Sequence, residues 1–244
     1  MRLVDELEQR GQRLFRHRGS LPTLLLLPVV LAAVADAGRS HWSHRADLVW
    51  EIACFLVALS GLAIRVAVSG TVAEGTSGRN TSQRADDLNT TGAYSLVRHP
   101  LYLANFLVGI GLALQPRIWY LPLFVALLSV LYYERVIIAE EAFLEKKFGE
   151  RFRAWAEAVP IVVPGRSAYV PTLIPFSWRA AVRREFYGTC AIVLIFFLLD
   201  VAEDLVHDRR LVLDSFWTPL LVAAIVAFLV LRSLKHGTDI LRRR

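Results

Sequence analysis

The chain has 244 residues, of which 55% are hydrophobic and 20% are charged, and its formal net charge is +6. This composition is too apolar for an ordinary soluble domain, and the length suits a single membrane domain. The basic residues alternate with apolar segments instead of forming one patch, which excludes a nucleic-acid-binding surface as the reason for the positive charge. We therefore predict an integral membrane protein without a nucleic acid partner.

Six apolar segments are candidates for membrane-spanning helices, since about 20 residues of helix cross roughly 30 Å of hydrocarbon. The third segment is short, and the sequence Gln115-Pro116-Arg117 separates it from the fourth, which predicts a tight helical hairpin. The predicted fold class is all-α and polytopic, with about six spans and a cytosol-facing motif region between and after spans three and four. The six segments are Leu21–Ala37, Leu48–Ser69, Tyr102–Leu114, Ile118–Ile138, Tyr187–Val201 and Phe216–Leu234.

The distribution of lysine and arginine predicts the orientation of these spans. Of the 28 basic residues, 22 fall in the N-terminal arm, the two large polar segments and the C-terminal tail, and five fall in the opposite connections. Because cytosolic loops are enriched in Lys and Arg, both termini are predicted to be cytosolic, in the inner (plasma) membrane if the chain is bacterial. The remaining basic residue, Arg65, lies in the second span, and we expect its long side chain to extend to the interface.

Three zones follow one another along the chain. Residues 1–70 are a first pair of transmembrane helices, residues 71–164 carry the motifs, and residues 165–244 are an accessory helix pair. Within the second zone, the run 75–82 consists of Gly, Ser, Thr, Asn and Arg, which indicates a loop. Cys54 and Cys190 have no Cys or His neighbours at metal-ligand spacing, so no metal site is predicted.

A polar motif, Arg98-His99-Pro100-Leu101-Tyr102, stands directly before the third span. Proline suits the first turn of a helix, so Arg98 and His99 are expected beside a helix N-terminus. Backbone amides at such a terminus favour an anion, and an arginine adds bidentate recognition of a carboxylate or phosphate. We therefore expect an anionic group to bind here. The alternative is that Arg98 anchors the chain at the interface and His99 caps the helix.

Two more pairs of residues stand out in the spans. Gly109 and Gly111 lie inside the third span, where missing side chains allow a flat ligand or another helix to approach. Glu140 and Glu141 lie on the extension of the fourth span, where charged groups cost roughly 3 kcal/mol or more when they face hydrocarbon. These carboxylates are candidates for binding hydroxyl or ammonium groups of a cofactor, and a charged interfacial helix is the alternative.

In this order, the motifs resemble those of the membrane methyltransferases that include isoprenylcysteine carboxyl methyltransferase and phospholipid N-methyltransferase. The resemblance covers roughly residues 50–164 and also includes Gly92-Ala93-Tyr94, Phe148-Gly149 and the segment from Val159 to Pro164. It implies S-adenosylmethionine as the cofactor near the cytosolic face, and a lipid or lipidated acceptor that enters from the bilayer. The chain departs from the family pattern at Phe152 and Trp155, where tyrosines are common.

The resemblance also implies roles for individual residues. Arg98 and His99 are the implied catalytic residues. The implied cofactor-binding residues are Tyr94, His99, Tyr102, Gly109, Gly111, Glu140 and Glu141.

The implied reaction is methyl transfer to a carboxylate, phosphate, amine or thiol, and the sequence leaves this choice and the oligomeric state open. An amine acceptor must be deprotonated, and His99 is the histidine within these motifs that titrates near neutral pH. A second enzymatic reading is an NADPH-dependent membrane reductase of the sterol reductase type. The non-enzymatic alternative is a small membrane scaffold or transporter.

Overall fold

The computed structural model describes residues 3–17, 26–36, 44–72, 85–165, 168–172, 174–207, 209, 213–238 and 240–241. In these ranges the regular structure is helical and contains no strand, which confirms the predicted all-α class. The predicted loop at 75–82 lies outside the described residues, as do residues 21–25 and 37 of the first predicted span.

The described part of the chain forms eight α-helices and a short 3-10 helix, Gly92–Ser95. Four of them, α3, α5, α7 and α8, are long and apolar enough to cross a membrane. The 28 residues of α3, for example, extend over about 42 Å at a rise of 1.5 Å per residue. The helices are α1 Leu3–Arg16, α2 Leu26–Asp36, α3 His44–Thr71, α4 Pro100–Leu114, α5 Tyr120–Phe148, α6 Glu150–Ala158, α7 Trp178–His207 and α8 Trp217–Gly237.

This is the arrangement of a polytopic membrane protein, although two of the six predicted segments form helices that are short for a span. The third segment forms α4, with 15 residues, and the described part of the first forms α2, with 11. Large apolar side chains such as Leu56, Leu127 and Leu229 are exposed on the long helices, as expected for surfaces that contact lipid. The orientation in the membrane and the division into three zones stay predictions.

Local sequence explains where the central helices begin and end. Helix α4 begins at Pro100, as predicted, because the missing N–H of proline costs nothing in a first helical turn. The predicted hairpin between α4 and α5 is confirmed, and its turn contains Arg117 with a φ of 60°. Helix α5 continues without a break to Phe148. Gly149 then ends it with a φ of 54° and a ψ of −127°, a conformation that other residues rarely adopt.

The helices lie side by side in the spatial order α1, α5, α4, α3, α7, α8, with α2 against α7. The contact between α3 and α4 is close because Gly111 faces the α3 backbone. A Cβ atom added to Gly111 would lie 2.7 Å from the amide nitrogen of Ala58 and from the carbonyl oxygen of Cys54. Small residues allow this kind of approach between membrane helices. Gly111 therefore contributes to helix packing.

The two ends of the bundle are chemically distinct. The motif end holds the start of α4, the end of α3 and the start of α7, where the Ser177 amide donates to the Gly70 carbonyl at 2.9 Å. The distal end holds the α4–α5 turn, and there Arg117 pairs with Asp47 of α3 and Glu203 of α7. Both ends of α3 are thus held to α7, which fixes the framework around the motifs.

Arg65, which was expected to extend to the interface, has partners on neighbouring helices. Its Nε lies 2.7 Å from the Glu185 carboxylate of α7. Its Nη1 donates to the side-chain oxygen of Asn105 in α4, at 2.5 Å. The partner is 120 residues away in sequence, so the local pattern around Arg65 gave no sign of it.

Candidate functional site

The backbone of the Arg98-His99 motif is held by segments that come much later in the chain. The Arg98 amide donates to the Pro160 carbonyl at 2.8 Å, and the His99 amide donates to the Ile161 carbonyl at 3.0 Å. Upstream, the Gly92 amide donates to the Val170 carbonyl at 2.8 Å. These bonds hold the segment that precedes α4, and α4 itself holds the C-terminal end of that segment. The two side chains consequently have defined positions at the motif end of the bundle.

Five of the predicted site residues meet in one cluster, which we call the ionic cluster: Arg98, His99, Tyr102, Glu140 and Glu141. Oε1 of Glu141 forms an ion pair with Arg98 Nη1 and accepts a hydrogen bond from His99 Nε2, each at 2.9 Å. Oε2 of Glu140 accepts from the Tyr102 hydroxyl at 2.7 Å and lies 3.6 Å from His99 Nδ1. The cluster therefore joins the first turn of α4 to the last third of α5.

His99 occupies the N-cap position of α4, in agreement with the alternative reading of a capping residue, but its side chain makes no capping hydrogen bond. The ring instead lies between the two glutamates. Burial lowers the pKa of His99 and is the largest single influence on it, but the hydrogen bonds and negative charges of Glu140 and Glu141 together outweigh burial. The pKa of His99 is therefore raised above its ordinary value. The stacked ring of Tyr102, with its centroid 5.4 Å away, suits a protonated imidazole.

Arg98 retains hydrogen-bonding capacity inside the cluster. Its side chain is 13% exposed, and Nη1 forms an ion pair with Glu141. Among the described residues, the buried Nε has no hydrogen-bond partner. A buried donor that lacks a partner costs free energy, and an anionic ligand that accepts from it removes that cost. The predicted anion-binding role of Arg98 is compatible with this geometry.

The structure does not bring the two glycines to the ionic cluster. Gly109 and Gly111 lie nine and eleven residues beyond Pro100, which corresponds to about 15 Å along α4. The space beside Gly111 is taken by α3, and a Cβ atom on Gly109 would lie 3.6 Å from a Val125 methyl group of α5. Helix packing accounts for Gly111, whereas a Cβ atom at position 109 would be in ordinary contact distance, so packing does not require a glycine there.

Tyr94 lies in the 3-10 helix before the motif, and its carbonyl oxygen accepts from the Trp155 indole at 3.2 Å. Phe152, one turn earlier on α6, is 5% exposed, and its ring centroid is 5.9 Å from that of Trp155. The residues that replace the common tyrosines of the family therefore support the backbone of the loop that leads to Arg98.

Sequence analysis missed the contribution of α1. Phe15, which is 3% exposed, packs in one apolar group with Tyr102 and Tyr133, and the Tyr132 hydroxyl donates to the Leu14 carbonyl at 3.4 Å. Helix α1 thus covers the aromatic side of the ionic cluster. The signal was present in the amphipathic spacing of Leu3–Arg16, where apolar residues recur at helical intervals between charges.

The fold and the cluster define a helical membrane protein with an ionisable site at one end of its spans. Within the ranges that the structure describes, no group of three or more His, Cys, Asp or Glu residues is placed to hold a metal ion. A family model described as phospholipid methyltransferase matches residues 50–151, which include the whole ionic cluster. The chain belongs to this family of membrane proteins, and the resemblance inferred from the motifs is confirmed.

Two curated proteins are similar over most of the chain. The nickel-cobalt-cadmium resistance protein NccN of Alcaligenes xylosoxydans xylosoxydans is 32% identical over 158 residues, which are 64% of this chain and 68% of NccN. The cobalt-zinc-cadmium resistance protein CzcN of Cupriavidus metallidurans is 31% identical over 203 residues, which are 80% of this chain and 85% of CzcN. No solved structure matches the chain.

Proposed function

We propose that this protein transfers a methyl group from S-adenosylmethionine to a lipid or lipidated acceptor in the membrane. The observation that carries the proposal is the ionic cluster, in which Arg98, His99, Glu140 and Glu141 meet within the region matched by the phospholipid methyltransferase model. Buried ionisable groups on membrane helices cost free energy, so their presence indicates a functional site. Both termini and the cluster are proposed to face the cytosol, on the basis of the basic-residue distribution.

The residues of the cluster fit the functional groups of S-adenosylmethionine. Arg98 has a buried Nε available for the carboxylate of the methionine moiety, in addition to its bond to Glu141. Glu140 and Glu141, with side chains 26% and 22% exposed, offer acceptors for ribose hydroxyls or the ammonium group. Tyr102 supports the same point, since its hydroxyl donates to Glu140 at 2.7 Å and its ring stacks on His99 and Tyr133. Tyr94 is retained as a candidate cofactor contact, whereas the packed glycines are not.

When bound, S-adenosylmethionine supplies an electrophilic methyl group on a sulfonium centre. The chain contributes orientation and exclusion of water, since methyl transfer needs the acceptor, the methyl carbon and the departing sulfur in line. Arg98 and Glu141 hold each other in a fixed geometry, and Phe15 with the tyrosines shields one side of the cluster. These are binding and positioning roles, with no metal required.

His99 acts in this proposal as a hydrogen-bond donor rather than as a general base. Its raised pKa and its two carboxylate neighbours favour the protonated ring, which has no free lone pair for abstracting a proton. A carboxylate or phosphate acceptor is already nucleophilic and needs no base. An amine acceptor must instead arrive deprotonated or lose its proton to another group.

Both curated relatives have names that refer to metal resistance, with cobalt and cadmium common to the two. We propose the same physiological setting for this chain, with the methylated lipid as the product that affects tolerance. The test is growth of a bacterial host on cobalt or cadmium, with the wild-type chain compared with Arg98→Ala. Equal growth of the two strains, with equal protein in the membrane, overturns this setting.

The first experiment is calorimetric titration of the full chain in detergent with S-adenosylmethionine, S-adenosylhomocysteine and NADPH. We expect micromolar binding of the first two ligands, loss of binding in Glu141→Ala, and retention in the matched control Glu145→Ala. Glu145 lies one turn further on α5, and its partner is the exposed Arg153. Binding of NADPH alone, or of no ligand by folded protein, refutes the proposal in favour of a reductase or a non-enzymatic role.

The role of Arg98 has its own test within the same titrations. Decarboxylated S-adenosylmethionine lacks the group that Arg98 is proposed to bind. We expect the wild type to bind this analogue about ten-fold or more weakly than the parent, because a charge-assisted hydrogen bond contributes roughly 1.5–3 kcal/mol. In Arg98→Ala the two ligands are expected to bind equally. A preference that persists in Arg98→Ala places the carboxylate elsewhere.

The acceptor is then identified by incubating membranes with methyl-labelled cofactor and separating the labelled lipids by headgroup. Label in a carboxylate, phosphate or amine class names the substrate, and the Glu141→Ala protein provides the background.

A further inference from the structure

A buried ion pair connects the third and seventh helices close to the motif end of the bundle. Arg65 Nε lies 2.7 Å from Oε2 of Glu185, and the two side chains are 19% and 5% exposed. The hydroxyl of Ser69 donates to the other carboxylate oxygen, Oε1, at 2.5 Å. Both oxygens of Glu185 therefore have donors, so the carboxylate is held in one orientation.

The pair is linked to the ionic cluster by a continuous series of contacts. Arg65 Nη1 donates to the side-chain oxygen of Asn105 at 2.5 Å, and the Asn105 side chain lies beside that of Tyr133. The Tyr133 ring stacks on Tyr102 with a centroid distance of 4.9 Å and an interplanar angle of 23°. The Tyr102 hydroxyl donates to Glu140 at 2.7 Å. These contacts form a physical connection between the ion pair and Glu140, a proposed cofactor ligand.

We propose that Glu185 is a positioning residue for the cofactor site, which acts through Arg65 and Asn105 on the two stacked tyrosines. The inference rests on the proposed function, because it assigns a task to the same site. It also gives α7 a part in the site, beyond anchoring the chain in the membrane. Arginine suits the bridging position because its planar fork bonds two acceptors at once, as it does here with Glu185 and Asn105.

Removal of the negative charge at position 185 leaves the Arg65 guanidinium without its counterion among apolar helices. The guanidinium is then free to turn towards other acceptors, and its bond to Asn105 is no longer fixed. Tyr133 then loses a fixed neighbour, and the Tyr102 ring that stacks on it is held less firmly. The expected result is a site with the same residues but a less defined geometry, which weakens binding of the cofactor.

The test is a double-mutant cycle on the affinity of the full chain for S-adenosylmethionine. We expect Glu185→Gln and Asn105→Ala each to raise Kd about ten-fold. The double variant should raise Kd no further than the weaker-binding single variant, because both changes break the same series of contacts. If the two residues affect the site independently, the two effects multiply; if Glu185 only supports the fold, Glu185→Gln leaves Kd unchanged.

Glu51→Gln is the matched control. Glu51 is a buried carboxylate of α3, the helix that also carries Arg65. It lies towards the distal end of the bundle and accepts a hydrogen bond from the Trp217 indole at 2.6 Å. We expect this variant to lose thermal stability while its Kd for S-adenosylmethionine stays at the wild-type value. Arg65→Lys is a second probe in case Glu185→Gln does not fold, since it keeps the charge opposite Glu185 but loses the fork to Asn105. We expect it to fold and to bind the cofactor more weakly.

The outcomes separate the two proposals. Failure of the folded wild-type protein to bind S-adenosylmethionine overturns the proposed function and this inference with it. Wild-type binding with unchanged Kd in Glu185→Gln or Arg65→Lys, or multiplying effects in the double variant, overturns the positioning role alone.

Discussion

Replacement of Glu141 by glutamine is the most direct test of how much the ionic cluster contributes to stability. Oε1 of this carboxylate forms an ion pair with Arg98 and accepts a hydrogen bond from His99, each at 2.9 Å, and the side chains of these partners are 13% and 6% exposed. A hydrogen bond to a charged group contributes roughly 1.5–3 kcal/mol when it is shielded from water. The glutamine carbonyl still accepts, at roughly half that strength. We therefore expect Glu141→Gln to lower the free energy of unfolding by about 2–3 kcal/mol.

The assay is reversible unfolding in mixed micelles, followed by tryptophan fluorescence, with Glu145→Gln as the control. Glu145 pairs with Arg153 on the exposed surface, where the two side chains are 45% and 55% exposed, so its replacement is expected to cost less than 1 kcal/mol. The difference between the two variants isolates the buried contacts from the general effect of removing a glutamate from α5. Equal losses in the two variants would show that the bonds to Arg98 and His99 contribute little, and the argument from the cluster would fail.

Three further predictions concern the pH dependence of stability, the packing of α4 on α3, and the ion pairs of Arg117. Because the pKa of His99 is raised in the folded protein, its protonated ring stabilises the fold fully below a pH of about 6.5. This contribution is lost as the pH rises through the higher pKa of the folded state. Thermal denaturation between pH 6 and 9 should show the loss in the wild type and not in His99→Gln. Gly111→Leu places atoms against the α3 backbone, so we expect the free energy of unfolding to fall by about 3 kcal/mol. The destabilisation should appear as a reduced folded yield in size-exclusion chromatography in detergent. Arg117→Ala removes the partner of Asp47 and Glu203, which are 29% and 25% exposed, and should lower stability by about 1–2 kcal/mol in the same unfolding assay.

The sequence was sufficient for features whose cause is local. Pro100 sets the start of α4 by its own geometry, and Pro116 interrupts the apolar pattern, so the hairpin follows from neighbouring residues. The members of the ionic cluster were recognisable because Arg98, His99 and Glu141 carry charge next to apolar runs, and such placement is rare without a reason. That they meet depends on the hairpin, which returns α5 alongside α4.

Long-range pairing was not predictable in the same way. Arg65 was expected to extend to the interface because it lies in the second predicted span, and its partner Glu185 lies in a helix that sequence analysis treated as an accessory. Gly111 was ambiguous for a different reason, since the absence of a side chain serves a ligand and a neighbouring helix equally well. Only the position of α3 decides between them.

The two acidic side chains on either side of the tyrosine stack differ in how their oxygens are used, and this difference supports different roles. Glu185 has a donor on each oxygen, from Arg65 and Ser69, so it has little capacity left for a ligand. Glu141 receives both Arg98 and His99 on Oε1, which leaves its second oxygen for another donor, and it is the more exposed of the two carboxylates at 22% against 5%. A carboxylate that only balances a buried charge is most stable when both oxygens are bonded. The arrangement therefore favours Glu185 as a residue that positions others and Glu141 as one that also contacts the cofactor.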